Sequence, residues 1–244
     1  MPATRVAIVA ALDREIRPLI KSWRINHREH DGRNFKFFEN DPAVLVCGGI
    51  GVEAARRACE AIIKLYQPRL VISVGFAGAL DPGLELGQVL TPRLVIDARD
   101  GSRTQVGSGS GVLVSFDAVA DAEQKFKLGK SYRADAVDME AAAVACGAHA
   151  HGIPFVAMKA ISDEVGFAMP SLGQFIASDG QFQAGRFALF AAVRPWLWPG
   201  VLRLRANTQK ASRALCGGLG KYAYSAQDLD KSNTELHPIS RVGT

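Results

Sequence analysis

Three carboxylates stand where a chain most readily builds chemistry. Asp138 and Glu140 fall in Ala136-Val137-Asp138-Met139-Glu140-Ala141, where a short apolar run passes into an alanine-rich helical pattern. Asp163 closes a longer apolar run, Phe155-Val156-Ala157-Met158-Lys159-Ala160-Ile161-Ser162-Asp163. Side chains at the ends of buried strands lie at the rim where open α/β sheets bind ligands. An ionised carboxylate has two acceptor oxygens and no donor, so Glu140 suits two adjacent hydroxyls. Asp163 suits a leaving group that needs a proton, a service worth roughly 10²–10⁴-fold in rate. Each also has a plainer reading. Glu140 serves equally as a first-turn carboxylate favoured by the helix dipole, and Asp163 as an N-cap or loop residue.

The elements that must position these groups alternate along the chain. Residues 6–12, 44–47 and 70–74 read as buried strands, and 14–23 and 52–66 as helices. Two of the strands run into glycine turns, Gly48-Gly49-Ile50-Gly51 and Gly75-Phe76-Ala77-Gly78. Residues 89–96 and 112–114 are further strands, and 99–111 a polar, glycine-rich loop. Such alternation predicts a parallel or mixed sheet covered by helices. Gly49 and Gly51 serve close backbone approach, because no Gly-x-x-x-x-Gly-Lys is present. His149 and His151 end a helix ahead of Gly152-Ile153-Pro154 and are read as structural.

The 244 residues suit one large α/β domain with an appendage. Net charge is +5, yet residues 181–220 carry six basic residues and no acid, so the first 180 are close to neutral. That balance speaks against a nucleic-acid-binding face on the domain. The four cysteines are scattered without metal-ligand spacing; three lie in apolar strand or helix patterns and read as small buried hydrophobes, which fits a reducing cytoplasm. No signal peptide or spanning helix is legible. We divide the chain into a domain at 1–190, a basic helical appendage with a Trp pair at 191–221, and a flexible tail at 222–244.

Four segments carry a resemblance: Ala10-Ala11-Leu12-Asp13-Arg14-Glu15-Ile16, Gly48-Gly49-Ile50-Gly51, Val74-Gly75-Phe76-Ala77-Gly78, and the Val-Asp-Met-Glu-Ala and Ile-Ser-Asp pair. With them the chain resembles the nucleoside phosphorylase/nucleosidase superfamily, and within it the 5′-methylthioadenosine/S-adenosylhomocysteine nucleosidases. The resemblance implies a three-layer α/β/α sandwich with a mixed central sheet. It implies that Glu140 clamps the ribose hydroxyls with Met139 against the sugar, and that Asp163, oriented by Ser162, protonates N7 of the departing purine. Glu15 would activate the attacking water, although its neighbours Asp13, Arg14 and Arg17 equally suit a solvated helix. Asp138 and Lys159 depart from the pattern, standing where these nucleosidases carry Glu and Arg.

The anion turn of the phosphorylases carries a hydroxyl where this chain has Phe76, flanked by Ala77 and Gly78, so water is favoured over phosphate. Ile50 and the segment Ser115-Phe116-Asp117-Ala118-Val119-Ala120 are expected at the substrate. There Phe116 takes over stacking, because Val119 stands where an aromatic is usual, and Ala120 lies beside it. Phe116 is equally at home in a core. Arg194-Pro195-Trp196-Leu197-Trp198-Pro199-Gly200 and the basic helix after it resemble the C-terminal part of hopanoid-associated phosphorylase-like proteins. A Trp pair among cations also suits an interfacial anchor.

The expected protein is therefore an adenine-releasing hydrolase of a 5′-substituted adenosine, adenosylhopane in view. It uses no metal or organic cofactor, forms a homodimer, and meets the inner membrane peripherally. The alternatives are a methylthioadenosine/adenosylhomocysteine nucleosidase, a phosphate-dependent purine nucleoside phosphorylase, and a nucleoside-binding protein without catalysis.

Overall fold

Strand β1 (Val6–Ala10) explains the layers: all five of its residues are buried, and successive side chains point to opposite faces. Val6, Ile8 and Ala10 join a core with Ile16 and Ile20 of helix α1 (Asp13–Ile20) and with Leu215 and Leu219 of helix α6 (Trp198–Glu235). Ala7 and Val9 join a second core with Ala58 and Ile62 of α2 (Val52–Tyr66) and Val144 and Ala148 of α4 (Ala141–Ala150). A strand apolar on both faces belongs to a sheet covered on both sides. The fold is the expected α/β/α sandwich. The computed structural model describes residues 6–107, 109–167, 172–177 and 179–235.

Among these residues the sheet has eleven strands. Besides β1 they are β2 (Arg24–His30), β3 (Arg33–Asn40), β4 (Ala43–Cys47), β5 (Leu70–Ala79), β6 (Val89–Leu90), β7 (Leu94–Asp97), β8 (Arg103–Gln105), β9 (Val112–Ser115), β10 (Ala136–Asp138) and β11 (Phe155–Asp163). The main order is β2-β3-β4-β1-β5-β10-β9-β7-β8, with β11 bonded to β5 and β6. Mixed pairing is visible at β10, which runs parallel to β9 and antiparallel to β5. Two helices, α3 (Ala122–Tyr132) and α5 (Ala184–Ala192), complete the frame of the site.

Several local expectations need correction. Gly75-Phe76-Ala77-Gly78 is not a turn but the interior of β5, because both β10 and β11 pair with this stretch. Residues 89–96 form two strands, interrupted at Thr91-Pro92-Arg93 where Pro92 cannot donate to a ladder. Residues 99–111 are not all loop: Arg103–Gln105 pair with β7. The β2–β3 hairpin went unread because its first strand is polar and half exposed. Its Asp31-Gly32 turn, both residues at positive φ, is nonetheless a strong two-residue hairpin signal. Of the cysteines Cys59 is buried, Cys47 and Cys216 are half-buried, and Cys146 is exposed; all are free thiols.

In the C-terminal region, residues 211, 215 and 219 of α6 recur every fourth position and pack into the core shared with α1 and β11. The helix backbone runs on to Glu235, so the flexible tail expected from 222 is helical over 222–235. Residues 236–244 lie outside the described part. No helix among the described residues is long and apolar enough to cross a membrane.

Candidate active site

A cavity of about 990 Å³ opens over the end of β5. Gly78 is the hub of its floor: it pairs with Val137 of β10 on one side and with Asp163 of β11 on the other. The β11 register slips between Ile161 and Asp163, leaving Ser162 as the extra residue. A bulge of this kind re-aims side chains beside a site. Here Ser162 Oγ donates to Asp163 Oδ1 at 2.7 Å, and both residues line the cavity.

On the β10 side, Asp138 rather than Glu140 caps α4. Asp138 Oδ2 accepts the amide of Ala141 at 2.9 Å, and Ser115 Oγ accepts that of Ala142 at 2.9 Å. Ser115 in turn donates to Asp138 Oδ1 at 2.6 Å. The first orphan amides of the helix are thus satisfied without Glu140, whose side chain makes no cap bond. Glu140 instead accepts the amide of Gly51 at 2.8 Å and faces the cavity. Glu140 thus stands at the α4 N-terminus, where the dipole reading has it, but its carboxylate is turned to Gly51 and the cavity.

Lys159 sits under this cluster with its side chain wholly enclosed. Its Nζ lies 2.9 Å from Asp138 Oδ2 and donates to Ser73 Oγ at 3.1 Å. Burial alone pulls its pKa down, but the attraction of Asp138, Glu140 and Glu15 outweighs that and raises it. Burial, then the neighbouring charge of Asp138, pushes Glu140 up to about 8 against the pull of Lys159. Burial also raises Glu15, opposed by the Leu12 amide and by Lys159. Glu15 Oε2 accepts the amides of Ala11 and Leu12, each at 3.2 Å, so the residue caps α1 as well as facing the cavity. A Cβ at Gly75 would stand 3.2 Å from that oxygen, so glycine there gives Glu15 its room.

The sequence reading missed Lys125 of α3. Its Nζ is paired with Asp163 Oδ2 and donates to the Glu164 carbonyl at 2.8 Å. A lone lysine in a charged segment gave little warning. Asp163, at the end of its apolar run, therefore faces an ammonium. Phe182 and Phe187, in the outer wall, were missed as well. Arg14 lies over the Phe182 ring, 5.0 Å from its centroid, which ties α1 to that wall.

Most other expected positions do converge. Ile50, Phe76, Ala77 and Gly78 line the cavity, as do Val119 and Ala120. Met139 joins Asp138 and Glu140 there, although the three bonds of Asp138 make it an anchor rather than a free acceptor. Phe116 is the correction. It packs against the apolar cluster of Leu94, Ile96 and Val114, and does not line the cavity, so it is not placed to stack on a base. Among the described residues, no group of three or more His, Cys, Asp or Glu is arranged to hold a metal ion.

Sheet order, cavity and the carboxylates of Glu15, Glu140 and Asp163 define a class: an α/β enzyme with its site at the strand ends. The profile of the Phosphorylase superfamily matches residues 5–124 and 110–184, and the chain belongs to that superfamily. It is 29% identical to the 5′-methylthioadenosine/S-adenosylhomocysteine nucleosidase of a Marinomonas species, over 68% of this chain and 88% of that one. The nucleosidase of the same description from Helicobacter pylori superposes with a TM-score of 0.70 at 16% identity, covering 92% of this chain and 100% of that chain. The apo 5′-methylthioadenosine nucleosidase of Arabidopsis thaliana gives 0.69 at 20% identity, covering 91% and 95%. The futalosine hydrolase of Helicobacter pylori gives 0.64 at 18%, covering 90% and 98%. At such identities the superpositions establish the shared fold.

Proposed function

We propose that the protein hydrolyses the N-glycosidic bond of a 5′-substituted adenosine and releases adenine. One observation carries this: Glu140, Asp163 and Glu15 face a single cavity from three different elements. Glu140 accepts the ribose hydroxyls, with Met139 against the sugar. The C1′–N9 bond breaks through an oxocarbenium-like sugar, its electron pair leaves with the purine, and N7 takes a proton on the Asp163 side. Water adds to C1′ and gives its proton to Glu15. Phe76, which has no hydrogen-bond donor on its side chain, favours water over phosphate as the nucleophile. No cofactor enters these steps. We also assign the protein a homodimeric state, to be counted by light scattering.

Similarity to the Marinomonas nucleosidase favours small 5′-alkylthio groups or a homocysteine tail. A second reading, a lipid-linked nucleoside such as adenosylhopane, draws on the outer wall. Leu189, Val193, Trp196, Trp198 and Leu202 are exposed large apolar residues on consecutive turns of the C-terminal region, and Arg194 and Arg203 stand among them. A peripheral membrane contact would use that face. Chromatography of products from methylthioadenosine, adenosylhomocysteine and adenosylhopane, with and without phosphate, tests the reading. Free adenine in phosphate-free buffer is expected; ribose-1-phosphate formed only with added phosphate would replace hydrolysis by phosphorolysis.

A further inference from the structure

The hydrolytic roles above leave the buried cation beside Asp163 unused. Lys125 lies on α3, whose start is fixed by a reciprocal cap: Asp121 Oδ1 accepts the Gln124 amide at 2.8 Å and Gln124 Oε1 accepts the Asp121 amide at 2.9 Å. That cap sets the helix phase, and the residues it turns inward are Lys125 and Leu128. Lys125 is 2% exposed. Enclosing an ammonium costs heavily unless partners replace its water, and an apolar side chain fills such a space more cheaply. The partners here are the Asp163 carboxylate and the Glu164 carbonyl. Space is cleared for the pair as well: a Cβ on Gly78 would come within 2.9 Å of Asp163 Oδ2 and 3.0 Å of Lys125 Cε. Lys125 and Asp163 both line the cavity at the end where the base departs in the proposed reaction.

We propose that Lys125 is a positioning and proton-supplying partner of Asp163, acting on the leaving base through that carboxylate. The proposal rests on the hydrolase reading. As the C1′–N9 electron pair moves onto the purine, a proton passes from Lys125 Nζ to Asp163 and from Asp163 to N7. One Nζ–H bond is broken and one N7–H bond is made, and the carboxylate is unchanged at the end. Glu15 gives the proton it took from the attacking water to solvent, and the Lys125 amine regains one from solvent, so the cycle closes with no net proton consumed. Ser162, donating to the other oxygen of Asp163, keeps that carboxylate from turning away.

The test compares leaving groups. Methylthioadenosine needs a proton on its base, whereas the 4-nitrophenyl glycoside of 5-methylthioribose loses a stable anion that needs none. Lys125→Met should lower kcat on methylthioadenosine by roughly 10²-fold or more, the scale of a lost proton donor, with KM little changed. It should leave nitrophenolate release near the wild-type rate. Lys125→Arg, which keeps the charge but does not release a proton, should stay slow on methylthioadenosine while keeping nitrophenolate release, which guards against a folding defect. In an Asp163→Asn background Lys125→Met should cost nothing further, because the two residues act as one unit. Equal losses on both leaving groups, or additive losses in the double variant, would make Lys125 merely structural and overturn the proposal. A wild-type protein that cleaves neither compound would instead remove the hydrolase reading on which it stands.

Discussion

Lys159 Nζ lies 2.9 Å from Asp138 Oδ2, and both groups are enclosed. Three acids, Asp138, Glu140 and Glu15, draw on this ammonium, and Asp138 alone has it in contact. The arrangement separates two tasks that look alike in sequence. Asp138 spends its oxygens on Lys159, Ser115 and the α4 amide, which leaves Glu140 available to a ligand.

Removing the ammonium should therefore damage the fold before it damages chemistry. Lys159→Met leaves the Asp138 carboxylate buried without its counter-charge, and breaking such a pair costs about 3–5 kcal/mol. Urea unfolding of the variant should show that loss. A midpoint unchanged from wild type would mean that Asp138 finds compensation elsewhere.

Glu140 predicts a pH dependence. Its carboxyl titrates at about 8 in the fold, against 4.5 ordinarily, because burial and Asp138 disfavour its charge. A raised acid pKa means that the folded protein binds this proton more tightly than the unfolded chain does. The associated stability is complete below about 4.5 and is lost as pH rises through about 8. Glu140→Gln should flatten the decline, leaving the part due to Glu15, which shifts the same way. A wild-type curve without that slope would contradict the burial of this carboxyl.

Ligand binding reads the same group in the opposite sense. Ribose hydroxyls donate to the ionised form, so nucleoside affinity should rise with pH and level off above about 8, with a proton released on binding. Glu140→Gln should bind more weakly and without that trend. A 2′-deoxy substrate should be penalised by the wild type and much less by the variant; equal discrimination by both would remove the ribose clamp.

Asp163→Asn should keep ligand binding and lose at least roughly 10²-fold in kcat. Near-normal turnover by the folded variant would take Asp163 out of the reaction.

The exposed apolar face offers a separate test. Replacing Trp196 and Trp198 by Ala should weaken sedimentation with anionic vesicles, and salt should weaken it further, since each nearby Lys or Arg contributes about 1 kcal/mol at such a surface. Trp198 Nε1 donates to the Ala191 carbonyl at 2.9 Å, so Trp196, 72% exposed, is the cleaner substitution. Vesicle binding that ignores both salt and Trp196 would leave this face to another purpose.

Much of the framework was legible because β1, β4 and β5 are apolar runs and α2 has its stripe of alanines and isoleucines. Glu140 and Asp163 were legible because they end such runs. Lys125 was not, since nothing local distinguishes a buried lysine from its neighbours Lys127 and Lys130; its role comes from a partner 38 residues away. Phe116 stayed open between stacking and core for a related reason: an aromatic beside a strand end can turn to either, and its packing with Leu94 and Ile96 puts it with the core. The polar first strand of the β2–β3 hairpin hid it, although its Asp-Gly turn announced it.

Strand β5 holds β10 and β11 at fixed register through Gly78, so the groups proposed for sugar and base are spaced by one ruler of backbone hydrogen bonds. That ruler cannot lengthen by a fraction of a residue, and a whole-residue slip would turn side chains to the wrong face. The opposite wall, from Phe182 and Phe187 to Val201 and Leu204, is helix and loop outside the strands of the main sheet. Substitutions there can reshape the cleft without touching the ruler. Divergence within this scaffold should therefore accumulate in what hangs from the 5′ carbon, while the bond being cut stays the same.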